Sequence, residues 1–217
     1  MNTFIKNSST LEMLHFRRAF VCALVGAVLG VLSVLAGASV DIGKNAPDFT
    51  LIDEQGKARK LSEFKGRTVV LEWTNHECPF VRKHYESGNM QALQEKYTKE
   101  GVVWLSIISS AEGKQGFVSA DQAKTLTKQR NAHPSHVLFD ASGDVGRLYG
   151  AKTTPHMYVI TPEGKLVYNG AIDSIPSAKQ ADLKQATNYV DLAMADLKSG
   201  KDPQTAQTKP YGCSVKY

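Results

Sequence analysis

The chain has 217 residues, 42% hydrophobic and 22% charged, which is the composition of a globular domain with a full core. Its formal charge is +5; residues 1–38 carry Lys6, Arg17 and Arg18 against Glu12, so 23 basic and 20 acidic residues remain beyond them, a net +3. That excess is scattered and forms no Lys- or Arg-rich run, which argues against nucleic acid as a partner.

The first segment reads as an export signal. Arg17 and Arg18 precede an apolar run from Ala19 to Leu35, and the small residues Ala36-Gly37-Ala38 follow, with cleavage expected after Ala38. The Arg17-Arg18 pair also resembles a twin-arginine signal, which leaves the export route open. The apolar run is near the length of a membrane span, so an uncleaved anchor is the alternative, and membrane contact is expected only in that case. Either way the domain is expected outside the cytoplasm, periplasmic or secreted. Cys22 leaves with the signal, and two cysteines, Cys78 and Cys213, remain in an oxidising compartment.

Beyond residue 38 the elements alternate. Phe49, Leu51 and Ile52 mark a short strand, and Gly56 sits in the turn after it. Thr68–Trp73 is apolar enough for a buried central strand. A helix follows Cys78, breaks at Ser87-Gly88-Asn89, and resumes to end at Gly101. Residues 102–108 form another buried strand, and 109–118 a polar loop. Ser119 with Gln122 has the spacing of a capping box for a helix over 120–130. "HVLFD" is a strand and "SGDVGRLYG" a short helix closed by Gly150. "HMYVI" and "KLVYNGAI" are strands joined by the turn "TPEGK". Leu183, Ala186, Val190, Ala193 and Leu197 have helical spacing, so residues 177–200 are expected to be one amphipathic helix. The tail, 199–217, has no periodicity. The class is α/β: a central mixed sheet flanked by helices, with an N-terminal strand extension and a C-terminal tail. The domain is placed at 39–198.

"NHECPFVRKHY" (75–85) carries the chemistry. Pro79 fits the first helical position, which makes Cys78 the helix N-cap, where unpaired N–H groups and the helix dipole favour a thiolate. Arg82 is one turn on and would add to that effect. Lys83 and His84 make the first turns basic, against the usual preference of a helix start. A thiolate so placed is a nucleophile for a disulfide or a peroxide; a buried structural cysteine would have apolar neighbours in their place. His76 or Glu77 is the candidate proton donor to a leaving thiolate.

Three segments, "APDFTLIDEQGKARKLSEFKGRTVVLEW", "NHECPFVRKHY" and "YGAKTTPHMYVITPEGKLVYNGAID", together resemble the thioredoxin-like superfamily. The likeness spans about residues 42–198. It is nearest to the redoxin branch, which holds the alkyl hydroperoxide reductase and thiol-specific antioxidant (peroxiredoxin-like) proteins. The resemblance implies a thioredoxin-like fold and a cis bond at Thr154-Pro155, facing Cys78. Two departures limit what it implies of the reaction. Val81 stands where a Cys-x-x-Cys motif has its second cysteine, and Leu71 and Asn75 stand where peroxiredoxins carry Pro and Thr/Ser.

Cys213, in "PYGCSV", is a candidate resolving cysteine for Cys78; a permanent staple of the tail, or a link between subunits, are the alternatives. The leading expectation is an extracytoplasmic thiol oxidoreductase without a cofactor, acting on peroxide or a disulfide and served by a thiol reductant protein or a small-molecule thiol. The other class is a non-enzymatic module, either an inactive redoxin scaffold or a copper carrier with Cys78, His84 and His156 as ligands.

Overall fold

The structure is a computed structural model that describes Val40–Tyr217 together with Met1. The expected signal over 1–38, with Arg17, Arg18 and Cys22, lies outside the described residues. Among the described residues no helix is long and apolar enough to cross a membrane.

Elements follow in the order β1 (Thr50–Asp53), β2 (Ala58–Lys60), β3 (Val69–Trp73), α1 (Pro79–Glu86), α2 (Asn89–Lys99), β4 (Val103–Ile108), α3 (Ala120–Gln129), β5 (His136–Phe139), α4 (Asp144–Tyr149), β6 (Thr153–Thr154), β7 (His156–Ile160), β8 (Leu166–Gly170), α5 (Tyr189–Lys198) and β9 (Cys213–Ser214). Seven strands make one mixed sheet in the order β2-β1-β5-β4-β3-β7-β8. Strand β3 runs parallel to β4 and antiparallel to β7, so the apolar run of 69–73 is central, as its composition predicts.

Alternation along the central strands divides the core between two faces. Val69, Leu71 and Trp73 join Leu105, Ile107 and Tyr158 on one, while Val70 joins Trp104, Met157 and Val159 on the other. Burying each such large side chain contributes about 1.5–3 kcal/mol. Glu72 points to the second face and is fully buried. Its Oε2 accepts from Trp104 Nε1 (2.8 Å), Ser106 Oγ (2.9 Å) and Gln94 Nε2 (3.2 Å), and its Oε1 from Tyr85 OH (2.9 Å). Burial raises the pKa of this carboxyl, against the pull of those donors.

Local signals hold at most boundaries. Ser119 Oγ accepts from Gln122 N, the Gln122 side chain returns to Ser119 N, and Gly150 closes α4 in the left-handed region. Two expectations need correction. Strand β2, absent from the expected elements, pairs antiparallel with β1 across the Gly56 turn. The amphipathic helix over 177–200 is cut short: residues 180–184 form a 3-10 turn, and α5 begins at Tyr189, capped by Asn188 Oδ1 accepting from Asp191 N (3.0 Å). Leu183 and Ala186 therefore lie outside the helix. The Asn188 cap, worth about 1 kcal/mol, and the bond from Ser174 N to Thr187 O settle that boundary.

The tail forms only the two-residue strand β9 and is otherwise irregular, yet it is bonded to the domain along its length. Asn169 N donates to Ala206 O and Thr208 N to Asn169 O, which lays the tail along β8. Further on, β9 pairs antiparallel with β6, matching Cys213 to Thr154 and Ser214 to Thr153. Val215 N donates to Lys152 O, Ala111 N to Lys216 O, and Tyr217 OH to Ala151 O (2.7 Å). A segment without periodicity is thus held by its backbone.

Candidate functional site

Cys78 is the N-cap of α1, with Pro79 at the first helical position. Its side chain is fully buried and makes no capping hydrogen bond. Across from it the Thr154-Pro155 bond is cis, as the resemblance implies. The cis turn aims the Thr154 carbonyl at the thiol, and Cys78 Sγ donates to that oxygen at 3.1 Å. The second neighbour of the sulfur is Cys213 Sγ, 2.7 Å away on the partly exposed tail. Both cysteines are present as thiols. A disulfide bond about 2.05 Å long needs little further approach.

The electrostatics favour charge on one sulfur only. Burial pushes the Cys78 thiol up, but the Cys213 thiol and the N–H groups of Val81 and Cys213 outweigh it and hold the pKa below 9.0. Burial and the facing Cys78 push Cys213 the other way, to about 12.

Several sequence candidates stand elsewhere. Arg82 does not reach the thiol: its Nε bonds to Glu86 Oε1 at 2.7 Å on the exposed side of α1. Glu77 Oε2 accepts from Gly116 N (2.7 Å), and the His76 carbonyl accepts from Arg130 Nη2 (2.9 Å). Neither side chain bonds to Cys78 Sγ. Burial, and then the charge of Arg130, lower the pKa of His76.

The copper ligand set is not assembled. Among the described residues, the one group of His, Cys and carboxylate ligand atoms that lie within 4.8 Å of one another is Asp53, Glu54 and His136, away from Cys78. His156 uses both ring nitrogens: Nε2 meets Asn169 Oδ1 at 2.7 Å, and Nδ1 accepts from Lys152 N at 3.3 Å. His84 Nδ1 meets Asn89 Nδ2 at 2.8 Å, and its Nε2 faces Asp173 Oδ2 at 3.6 Å. Both ring nitrogens of His156 are thus committed, whereas His84 Nε2 has no hydrogen-bond partner and has Asp173, not Cys78, beside it.

Asp173, Tyr211 and Gly212, which the sequence reading did not single out, seat the tail together with Lys83. Lys83 and Asp173 form an ion pair at 2.9 Å with both side chains buried. Tyr211, two residues before Cys213, closes over it. Its OH donates to Asp173 Oδ1 (2.5 Å) and accepts from Lys83 Nζ (3.0 Å), and its ring packs edge-on to Phe80 with centroids 5.8 Å apart. Gly212 then passes so near Thr154 that a Cβ there would overlap its carbonyl. The basic character of 82–84 is the one sequence signal that bears on this seat, and its partner, Asp173, is 90 residues away.

This strand order, with a cysteine capping the helix after the central strand and a cis-proline facing it, defines a redoxin domain of thioredoxin-like fold. The chain belongs to the AhpC/TSA family, whose model matches residues 42–169. Among curated proteins it is 28% identical over 151 residues to the thiol-disulfide oxidoreductase ResA of Bacillus thuringiensis subsp. konkukian, covering 68% of this chain and 79% of that one. Two solved structures are similar at TM-score 0.68 and 26% identity. A hypothetical protein of Sinorhizobium meliloti 1021 covers 83% of this chain and 96% of its own, and an uncharacterized conserved protein of Geobacillus kaustophilus covers 82% and 92%.

Proposed function

We propose that the protein is an extracytoplasmic thiol–disulfide oxidoreductase whose redox pair is Cys78 and Cys213. The observation that carries this reading is the 2.7 Å between the two sulfurs beside the cis Thr154-Pro155 bond. The name of the ResA relatives points to the same chemistry, and the thiolate-favouring surroundings of Cys78 supply its nucleophile.

In the reduced protein, Cys78 thiolate attacks one sulfur of a substrate disulfide. A bond forms from Cys78 to that sulfur, and the substrate's other sulfur leaves with the electron pair as a thiolate. Cys213, after losing its proton, attacks Cys78 Sγ; the mixed disulfide breaks, the substrate leaves as a dithiol, and Cys78–Cys213 remains. A dithiol protein or small-molecule thiol returns the pair to the reduced state. Val81 removes any second cysteine within the helix turn, and the tail takes over that role.

Disulfide exchange is favoured over peroxide reduction because Asn75, at the position where peroxiredoxins carry a hydroxyl, is committed: its Oδ1 accepts from Glu77 N at 2.9 Å and its Nδ2 donates to Gln115 O at 3.2 Å. Residues 1–38 support export, which peptide mass mapping of the protein recovered from a periplasmic fraction would test.

The functional test mixes reduced protein with oxidised glutathione or with hydrogen peroxide and follows the Cys78–Cys213 peptide by mass. Faster oxidation by the disulfide, with Cys213→Ser stalled as a Cys78 mixed disulfide, is the expected result. Oxidation by peroxide many orders faster than by the disulfide would replace this reading with a peroxidase. Cysteines that never pair would remove both.

A further inference from the structure

We propose that Asp53, Glu54 and His136 form a binding site for a divalent cation of the zinc type, which ties the β1–β2 hairpin to β5. The site is separate from Cys78 and does not depend on the reading of the two cysteines.

Its ligand atoms come from neighbouring strands. Asp53 ends β1, Glu54 follows it, and His136 opens β5. One oxygen of each carboxylate and one ring nitrogen of His136 lie within 4.8 Å of one another. His136 Nδ1 is 3.6 Å from Asp53 Oδ2, too far for a hydrogen bond. That separation is close to the spacing of about 3.4 Å between two ligands that each stand about 2.1 Å from a tetrahedral zinc. Two carboxylates and one imidazole leave a fourth position for water.

A second observation singles out the histidine. Its Nδ1 is buried and has no hydrogen-bond partner, although buried polar atoms are nearly always paired. Burial, and then the charge of Arg59, lower the pKa of the ring, so it is neutral at pH 7, and in the tautomer protonated at Nε2 its Nδ1 offers a lone pair.

The carboxylates are oriented by hydrogen bonds, as those of metal ligands are. Asp53 Oδ1 accepts from Gln55 N (2.9 Å) and Lys57 N (2.8 Å), and Glu54 Oε2 accepts from Val137 N (2.9 Å). Arg59 Nε reaches Asp53 Oδ2 at 2.8 Å, and its Nη1 is 3.5 Å from Glu63 Oε1. Asp53, Glu54 and Glu63 against Arg59 leave two negative charges, which one divalent cation balances. A tie also has a use here. β1 and β2 are the outermost strands on this side of the sheet, and β1 meets β5 at only two pairs, Ile52 with Phe139 and Asp53 with Leu138.

The test uses the protein carrying Cys78→Ser and Cys213→Ser, so that neither thiolate competes for metal, and adds Zn²⁺ after removal of a chelator. Calorimetry should show one Zn²⁺ bound per chain, with the affinity weakened at least ~10-fold by His136→Gln and by Glu54→Gln and unchanged by His133→Gln. NMR of the histidine rings in the same Cys-to-Ser protein should show Zn²⁺ shifting His136 Nδ1 and leaving the other ring nitrogens in place, a result that holds even where a ligand variant fails to fold. Absence of binding, binding that survives His136→Gln, or a zinc shift confined to another histidine overturns the proposal.

Discussion

Gly212 lies against Thr154 at a distance that admits no side chain: a Cβ on Gly212 would overlap the Thr154 carbonyl. The glycine also has φ +141°, a conformation that favours glycine. This contact brings Cys213 onto Cys78, because the next residue pairs with Thr154. Gly212→Ala adds backbone strain of about 1–3 kcal/mol on top of the overlap. At tenfold per 1.4 kcal/mol, closure of the Cys78–Cys213 bond from a glutathione mixed disulfide should slow by at least ~10-fold. Quenched-flow mass spectrometry measures it; an unchanged rate would mean that the close approach does not matter.

The thiol of Cys78 should titrate below an ordinary cysteine in the reduced protein, because its neighbours outweigh the effect of burial. The Cys213 thiol is the foremost of those neighbours, so Cys213→Ala should move the Cys78 titration upward. Thiolate absorbance near 240 nm, recorded against pH, reads both. Wild type should show one thiolate appearing below the range of an ordinary cysteine and the other held back to about 12. An unmoved Cys78 titration in the variant would remove Cys213 as the cause.

Much of this was open to reading from sequence and some was not, for physical reasons. The central strand and the capped helix depend on local patterns, and each is where the residues place it; the cis Thr154-Pro155 bond is where the family resemblance implies it. Pro79 after Cys78, and Ser119 with Gln122, are short-range rules that tertiary packing did not override. The long helix expected over 177–200 failed because Asn188 offers a competing cap at a point where the apolar spacing continues. The seat of the tail was hidden because its contacts are backbone pairings and single long-range bonds, such as Tyr211 to Asp173, that leave no period in the sequence. The histidines misled in the opposite way. His84 and His156 are of ligand type, but their nitrogens face Asn89, Asp173 and Asn169.

Asp173→Asn should be strongly destabilising. It leaves the Lys83 charge buried without its partner, at a cost of about 3–5 kcal/mol. Tyr211→Phe removes only the hydroxyl that joins the pair, and should cost about 1–2 kcal/mol. Urea unfolding of the reduced proteins checks the order. Equal losses in the two variants would contradict a buried ion pair capped by the tail.

Acid should weaken the fold through His84 and His156. Burial, the first cause for each, lowers both from 6.5 to about 4. Between those values the unfolded chain binds protons that the folded one excludes, so stability is complete above pH 6.5 and declines as the pH falls toward 4. The loss reaches roughly 3 kcal/mol for each residue. Comparing unfolding at pH 7.5 and 4.5, His156→Gln should lose roughly 2 kcal/mol less than wild type does. Parallel pH profiles would show that His156 titrates normally.

The most direct test of the central claim is a redox titration of the protein in glutathione buffers of graded ratio, with the Cys78–Cys213 peptide quantified by mass after acid quenching. The account predicts a single reversible two-electron transition, with this disulfide as the oxidised form and both thiols as the reduced form. Cysteines that stay unpaired across the series, or a bond that forms and cannot be reduced, would contradict it.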